Sequence, residues 1–349
     1  MKRLNRTALT LIAGAMVLTA CGNDDDTEAG ADGNNNADVD NSNAENNNDE
    51  ENEADSDTEE ASDESGAPAQ PSDYPNEDLL VDTDWVEEHI DDDDVQFVDM
   101  RDEGFEGGHI PGAVHTTWQD LNDMDHGVDG MILDADEYAK KIEELGISDD
   151  TTVVAYDDGT GTGPARLFYG LEYYGHDDVR ILNGGFQAWN AEGRDIDSGE
   201  ADVETGEFEA EAREETTVDL DYTEESIDDE NSVLLDVRSD EEFSGEDVRT
   251  DRGGHIPTAV NLPWTEALHD GEIEYLKAPD ELEELYAAEG ITADEEEIIV
   301  YCQTNVRAAH TYFTLRLLGF DNIVAYEGSW SEWGNDPDVP IDNPSEDNE

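Results

Sequence analysis

The chain repeats itself. "FVDMRDEGFEGGHIPGAVHTTW" (Phe97 to Trp118) returns as "LLDVRSDEEFSGEDVRTDRGGHIPTAVNLPW" (Leu234 to Trp264), with a longer stretch between its Asp-x-Arg and its Gly-Gly-His-Ile-Pro. "TVVAYDDGTGTGPARLFYGLEYYGHDDVRILNGGFQAW" returns as "EIIVYCQTNVRAAHTYFTLRLLGFDNIVAYEGSWSEW". Two copies of one domain in tandem follow. In each copy short β-branched runs alternate with helical patterns: Val95 to Met100, Val153 to Tyr156 and Val179 to Leu182, then Val233 to Val237, Ile298 to Tyr301 and Ile323 to Tyr326. Apolar runs separated by helices such as Ala308 to Leu318 predict buried, mostly parallel sheets flanked by helices, an α/β fold.

Outside the repeats the chain changes character. Residues 22–76 are Asp, Asn, Glu, Ala, Gly and Ser with almost no large apolar side chain, which predicts a disordered acidic tether. The copies are expected at 77–197 and 218–340, joined by an acidic linker at 198–217 and followed by an acidic tail at 341–349. The N-terminus has a basic head, an apolar stretch from Thr7 to Ala20 and small residues before Cys21. Leu18-Thr19-Ala20-Cys21 resembles the lipobox of secreted lipoproteins. The resemblance implies a signal peptide over 1–21, lipidation of Cys21, a membrane anchor and a place on the extracytoplasmic face of the cell membrane.

Lys and Arg number 16 against 96 Asp and Glu, a formal net charge of -80. Such a surface repels nucleic acid. It also repels itself in dilute buffer and is screened within roughly 3 Å at molar salt, so a salt-loving protein is expected. With Cys21 consumed by lipid, Cys302 is the remaining one of two cysteines, which excludes a disulfide scaffold and a paired-cysteine metal or redox site.

In YCQTNVRAA, a strand ends at Cys302 and a helix starts near Val306 or Arg307, placing the thiol at the C-terminal edge of a parallel sheet, where open α/β folds bind ligands. The helix N-terminus and Arg307 favour a thiolate there. Tandem α/β copies, Asp-x-Arg followed by Gly-His-Ile-Pro, and the Cys-x-x-x-x-Arg loop together resemble the two-domain rhodanese family of thiosulfate sulfurtransferases, over roughly Glu77 to Pro340. The resemblance implies that Cys302 attacks the outer sulfur of a donor, carries it as a persulfide and passes it to a thiophilic acceptor. Gln303, Thr304, Asn305, Val306 and Arg307 would cradle the persulfide and the leaving anion.

The first copy has Tyr156-Asp157 where the second has Tyr301-Cys302, so it cannot form a persulfide and is expected to be inactive. Arg166 matches the position that in relatives points at the donor's anionic group, so it is assigned to donor binding. The loop is neither of the thiosulfate type, with lysine and glycine, nor of the mercaptopyruvate type, with Gly-Ser-Gly. A mercaptopyruvate-type enzyme, a non-enzymatic sulfur carrier, and a Cys-based phosphatase or arsenate reductase are the alternatives. The last needs one more residue between Cys and Arg to enclose a tetrahedral oxyanion. No cofactor and no metal are expected, the partners are a small sulfur donor and acceptor, and the protein should be a monomer. His109, His255, Asp99 with Arg101, Asp236 with Arg238, and Trp189, Trp330 and Trp333 read as structural. Gly159, Gly161 and Gly163 look like a phosphate loop but lack a following lysine.

Overall fold

Runs of Val, Ile and Leu form the central strands, and the stretches between them that place an apolar residue every third or fourth position form the helices. The computed structural model describes residues 68–199, 201, 203–293 and 297–345; Cys21, the leader, most of the tether and the last four residues lie outside them. In the first copy β1 (Leu80–Val81), α1 (Thr83–His89), β2 (Val95–Asp99), β3 (Val114–His115), α2 (Ala135–Glu144), β4 (Thr152–Tyr156), α3 (Thr162–Tyr173), β5 (Val179–Leu182) and α4 (Gly185–Ala191) follow in order. The second copy has β6 (Thr217–Val218), α5 (Leu220–Glu225), β7 (Ser232–Asp236), α6 (Asp240–Ser244), β8 (Val260–Asn261), α7 (Pro279–Ala288), β9 (Glu297–Tyr301), α8 (Val306–Leu317), β10 (Ile323–Tyr326) and α9 (Ser329–Trp333).

Each copy builds a five-stranded sheet, ordered β1-β5-β4-β2-β3 and β6-β10-β9-β7-β8. Every pairing between these strands is parallel. The fold is therefore α/β, with two tandem domains whose sheets are flanked by helices. The central β4 and β9 are apolar and buried from their second residue onward, as strands covered on both faces must be.

Helices α3 and α8 are buried on nearly every side, because each lies between its own sheet and the other domain. Phe168 meets Phe313 edge-on at 5.1 Å between centroids, and Tyr169 meets Tyr312 likewise at 5.4 Å. One apolar core runs continuously through both domains.

Three expected boundaries shift. The expected tether ends early: Tyr74 is buried, its hydroxyl donates to the Lys277 carbonyl at 2.7 Å, and the Asn76 amide donates to the Leu317 carbonyl at 3.1 Å, fastening this segment to the second domain. The expected linker docks on the first domain, where Phe208 is buried and Arg213 pairs with Asp177 at 2.5 Å. Its last residue opens β6. In the expected tail, Asp342 bridges to His255 in antiparallel fashion. In each case a backbone bond or a single buried aromatic ring orders a segment whose composition is polar.

Candidate active site

β9 carries Ile298, Ile299, Val300 and Tyr301 into the core and delivers Cys302 to the sheet's C-terminal edge. Cys302 is fully buried. Its amide donates to Ser329 Oγ at 3.3 Å, and its carbonyl accepts the Trp330 amide at 3.0 Å. The Gln303 carbonyl accepts the Ser331 amide at 2.9 Å, so the first turn of α9 fixes one side of the loop. Asn305, at φ 59, is the N-cap of α8, and the Ala309 amide reaches back to its carbonyl at 3.1 Å. The amides of Val306, Arg307 and Ala308 thus stand in the first turn, which has no intrahelical acceptor for them. The Cys302 to Arg307 stretch runs from the end of β9 into the first turn of α8, whose free amides can meet an anion.

Arg307, half-buried, grips Glu242 through two bonds, Nη1 to Oε2 at 2.7 Å and Nη2 to Oε1 at 2.9 Å. Arg249 adds a contact to Glu242 Oε1 at 3.3 Å. Burial pushes the Glu242 carboxyl up, but the bonded Arg307 guanidinium outweighs it and holds the carboxyl below the ordinary glutamate range. Burial works against the Arg307 charge, while Glu242 and then Cys302 raise its pKa. Glu242 and Arg249 escaped the sequence reading. Ser239 and Glu242 do form a visible capping box, and Arg249 lies in the stretch that lengthens the second copy.

The first copy shows what the equivalent loop holds. Asp157 Oδ1 accepts the amides of Gly159 and Gly161, both at 2.9 Å, and Oδ2 accepts the Thr160 hydroxyl at 3.1 Å. Burial raises the pKa of this carboxyl, against the lowering bonds from Gly161 and Gly159. The glycines that look like a phosphate loop therefore serve the chain's own carboxyl group.

Arg166 departs from its sequence assignment. It is fully buried, and its Nη2 donates to Glu327 Oε1 and to the Gly130 carbonyl, both at 2.8 Å, and to Asn122 Oδ1 at 2.9 Å. Its guanidinium is committed to protein acceptors rather than turned toward a donor, because a charge this deep must be paired where it lies. The loop it holds touches the thiol loop: a Cβ on Gly130, at φ +93, would stand 2.5 Å from the Thr304 carbonyl oxygen. Gly130→Ala should lower turnover about tenfold and cost about 1–3 kcal/mol of stability. Gly193→Ala, at φ +69 with open space around it, should cost only the backbone strain. Thermal midpoints and turnover of both variants check this; equal effects would mean that Gly130 does not press on the thiol loop.

The residues read as structural are so placed. Asp99 pairs with Arg101, and Asp236 with Arg238, each at 2.6 Å and buried. His109 and His255 stack on Phe105 and Phe243 and donate to their carbonyls at 2.8 Å. Trp189, Trp330 and Trp333 are buried in the cores.

A model of the rhodanese-like domain matches residues 82–192 and again 219–336. The chain belongs to the rhodanese-like domain family. It is 38% identical over 286 residues to the sulfur carrier protein TtuD of Thermus thermophilus, covering 77% of this chain and 98% of that protein. It is 34% identical over 287 residues to a Haloferax volcanii protein named "Putative thiosulfate sulfurtransferase" (78% and 98%), and 32% identical over 277 residues to the 3-mercaptopyruvate sulfurtransferase of Escherichia coli (75% and 97%). The crystal structure of SseA, a 3-mercaptopyruvate sulfotransferase from Escherichia coli, superposes with a TM-score of 0.66 at 32% identity, covering 72% of this chain and 98% of that one. An EanB variant carrying a cysteine persulfide, in a tetrahedral intermediate state with ergothioneine, superposes with a TM-score of 0.69 at 27% identity (76% and 71%). Both rhodanese-like domains of this chain thus have sulfurtransferase homologues, and only the second has a cysteine at the loop.

Proposed function

We propose that the protein is a thiosulfate sulfurtransferase that works through a persulfide on Cys302. The observation that carries this reading is the contrast between the two loops: amides and a hydroxyl bind the Asp157 carboxyl, and the corresponding loop has Cys302 between β9 and α8, close enough to raise the pKa of Arg307. A site built for a negatively charged side chain suits a thiolate and, after transfer, a persulfide anion. The Cys302 thiolate attacks the outer sulfur of thiosulfate; a new S–S bond forms as the old one breaks, and sulfite leaves with the electron pair. A thiophilic acceptor such as cyanide then takes the outer sulfur, and the Cys302 thiolate is regenerated. Val306, Gln303 and Thr304 border the cradle, while Arg307 and Arg249, sharing Glu242, supply positive charge at its edge.

The mercaptopyruvate relative favours a second donor, from which the same thiolate would release pyruvate, the departing carbon taking the thiol proton. One preparation in molar salt, offered thiosulfate, 3-mercaptopyruvate and a phosphate ester in turn, separates these readings through sulfite, pyruvate and phosphate release. Sulfite from thiosulfate as the fastest product is expected; faster pyruvate release reassigns the donor, and phosphate release alone overturns sulfur transfer.

We further infer that the mature chain is a monomer anchored through a lipid on Cys21 at the outer face of the membrane and adapted to high salt. Leu18 to Cys21 and the net charge of -80 support this. Cys21→Ser should move the protein out of the membrane fraction. The thermal midpoint and turnover should both rise from dilute buffer to molar salt as carboxylate repulsion is screened. Full stability in dilute buffer contradicts the salt adaptation.

A further inference from the structure

The interface between α3 and α8 has a near-twofold pattern that its chemistry breaks. Glu327 follows β10 as Asn183 follows β5, and Arg166 stands in α3 where His310 stands in α8, each the fifth residue beyond the left-handed caps Gly161 and Asn305. Both post-strand side chains reach the opposite domain in the same way. Glu327 Oε1 accepts the Ile132 amide at 2.9 Å, and Asn183 Oδ1 accepts the Leu276 amide at 3.0 Å.

The charges differ. Beside the Asp157 loop the pair is His310 and Asn183, and burial lowers the His310 pKa to about 4 and keeps the ring neutral. Beside the Cys302 loop the pair is Arg166 and Glu327, in contact at 2.8 Å and both buried. A buried ion pair carries a desolvation cost that a neutral pair avoids, so its presence on one side alone asks for a reason beyond stability.

That reason lies in a further bond. Glu327 Oε2 accepts Asn305 Nδ2 at 2.5 Å. Asn305 is fully buried at φ 59, a conformation that disfavours side chains, whereas the matching cap Gly161, at φ 77, has no side chain to strain or to hold. We infer that Glu327, ion-paired with Arg166, is a positioning residue for Cys302: it clamps Asn305 in the left-handed conformation and thereby sets the first turn of α8 against the thiol. The first domain thus contributes to the site through Arg166 as the counter-charge of the clamp.

This inference rests on the proposed role of Cys302 for its effect on turnover, but the clamp itself can be read without any sulfur donor. The full chain in molar salt is compared as wild type, Glu327→Gln, Asn305→Gly and the double variant, by the rate of Cys302 alkylation with iodoacetamide, located by peptide mapping, and by thermal midpoint. Glu327→Gln should slow alkylation about tenfold when Asn305 is present and less than about twofold in the Asn305→Gly background, where glycine holds the conformation unaided. The midpoint should fall in both backgrounds, since Arg166 loses its charged partner in each, and further where Asn305 also loses its bond. Should Glu327→Gln fail to fold, Arg166→Gln/Glu327→Gln removes the stranded charge and is read in the same two backgrounds. Equal slowing in both backgrounds, or none with Asn305 present, overturns the clamp. The expected alkylation pattern without sulfur loading from thiosulfate upholds the clamp and removes the sulfurtransferase reading instead.

Discussion

Cys302→Ser should reduce sulfite release from thiosulfate by about 10⁴-fold or more, because a hydroxyl neither ionises near neutral pH nor forms a persulfide. Stability should change little by comparison. The thiol is fully buried, so the smaller and more polar hydroxyl costs about 1 kcal/mol. A circular-dichroism melt in molar salt, taken alongside the sulfite assay, separates the two effects. Turnover within tenfold of wild type would remove Cys302 from the reaction.

Arg238→Met should cost about 3–5 kcal/mol, the largest stability loss expected for a single side chain near the site, because it strands a buried carboxylate. Arg238 Nε donates to Asp236 Oδ1 at 2.9 Å, its Nη2 donates to Oδ2 at 2.6 Å and to the Gly254 carbonyl at 2.7 Å, and its guanidinium lies 4.3 Å above the Trp330 ring. It therefore joins the end of β7, the Gly-His-Ile-Pro turn and α9. The Trp330 amide also holds the Cys302 carbonyl, so turnover should fall as well. Adding Asp236→Asn should recover part of the loss, since the stranded charge is gone. Urea unfolding in molar salt measures both steps, and a loss below about 1 kcal/mol for Arg238→Met would mean that the pair is not buried as described.

How much of this could be read in the chain follows from the range of each interaction. The central strands were legible because β2, β4, β7 and β9 are five residues long and mostly apolar; β1, β3, β6 and β8, two residues each, are too short to leave a period. The thiol's position was legible from one local fact, a strand running into Cys302 with a helix starting at Val306. The role of Arg166 was not legible, because its partner Glu327 lies in the other domain and no local pattern in "GPARLFYG" names it. Glu242 was hidden similarly: it reads as a capping residue, and only the fold carries it to Arg307. Tyr74, one aromatic ring in an acidic stretch, found a site on the second domain that composition could not foretell.

The measurement that bears most directly on the account is the mass of the protein after incubation with thiosulfate in molar salt, with no acceptor present. The account predicts a gain of the mass of one sulfur atom per chain, mapped to the peptide carrying Cys302, lost on adding cyanide with an equal yield of thiocyanate, and retained in Asp157→Asn. An unchanged mass, or a sulfur adduct on a peptide without Cys302, would contradict it.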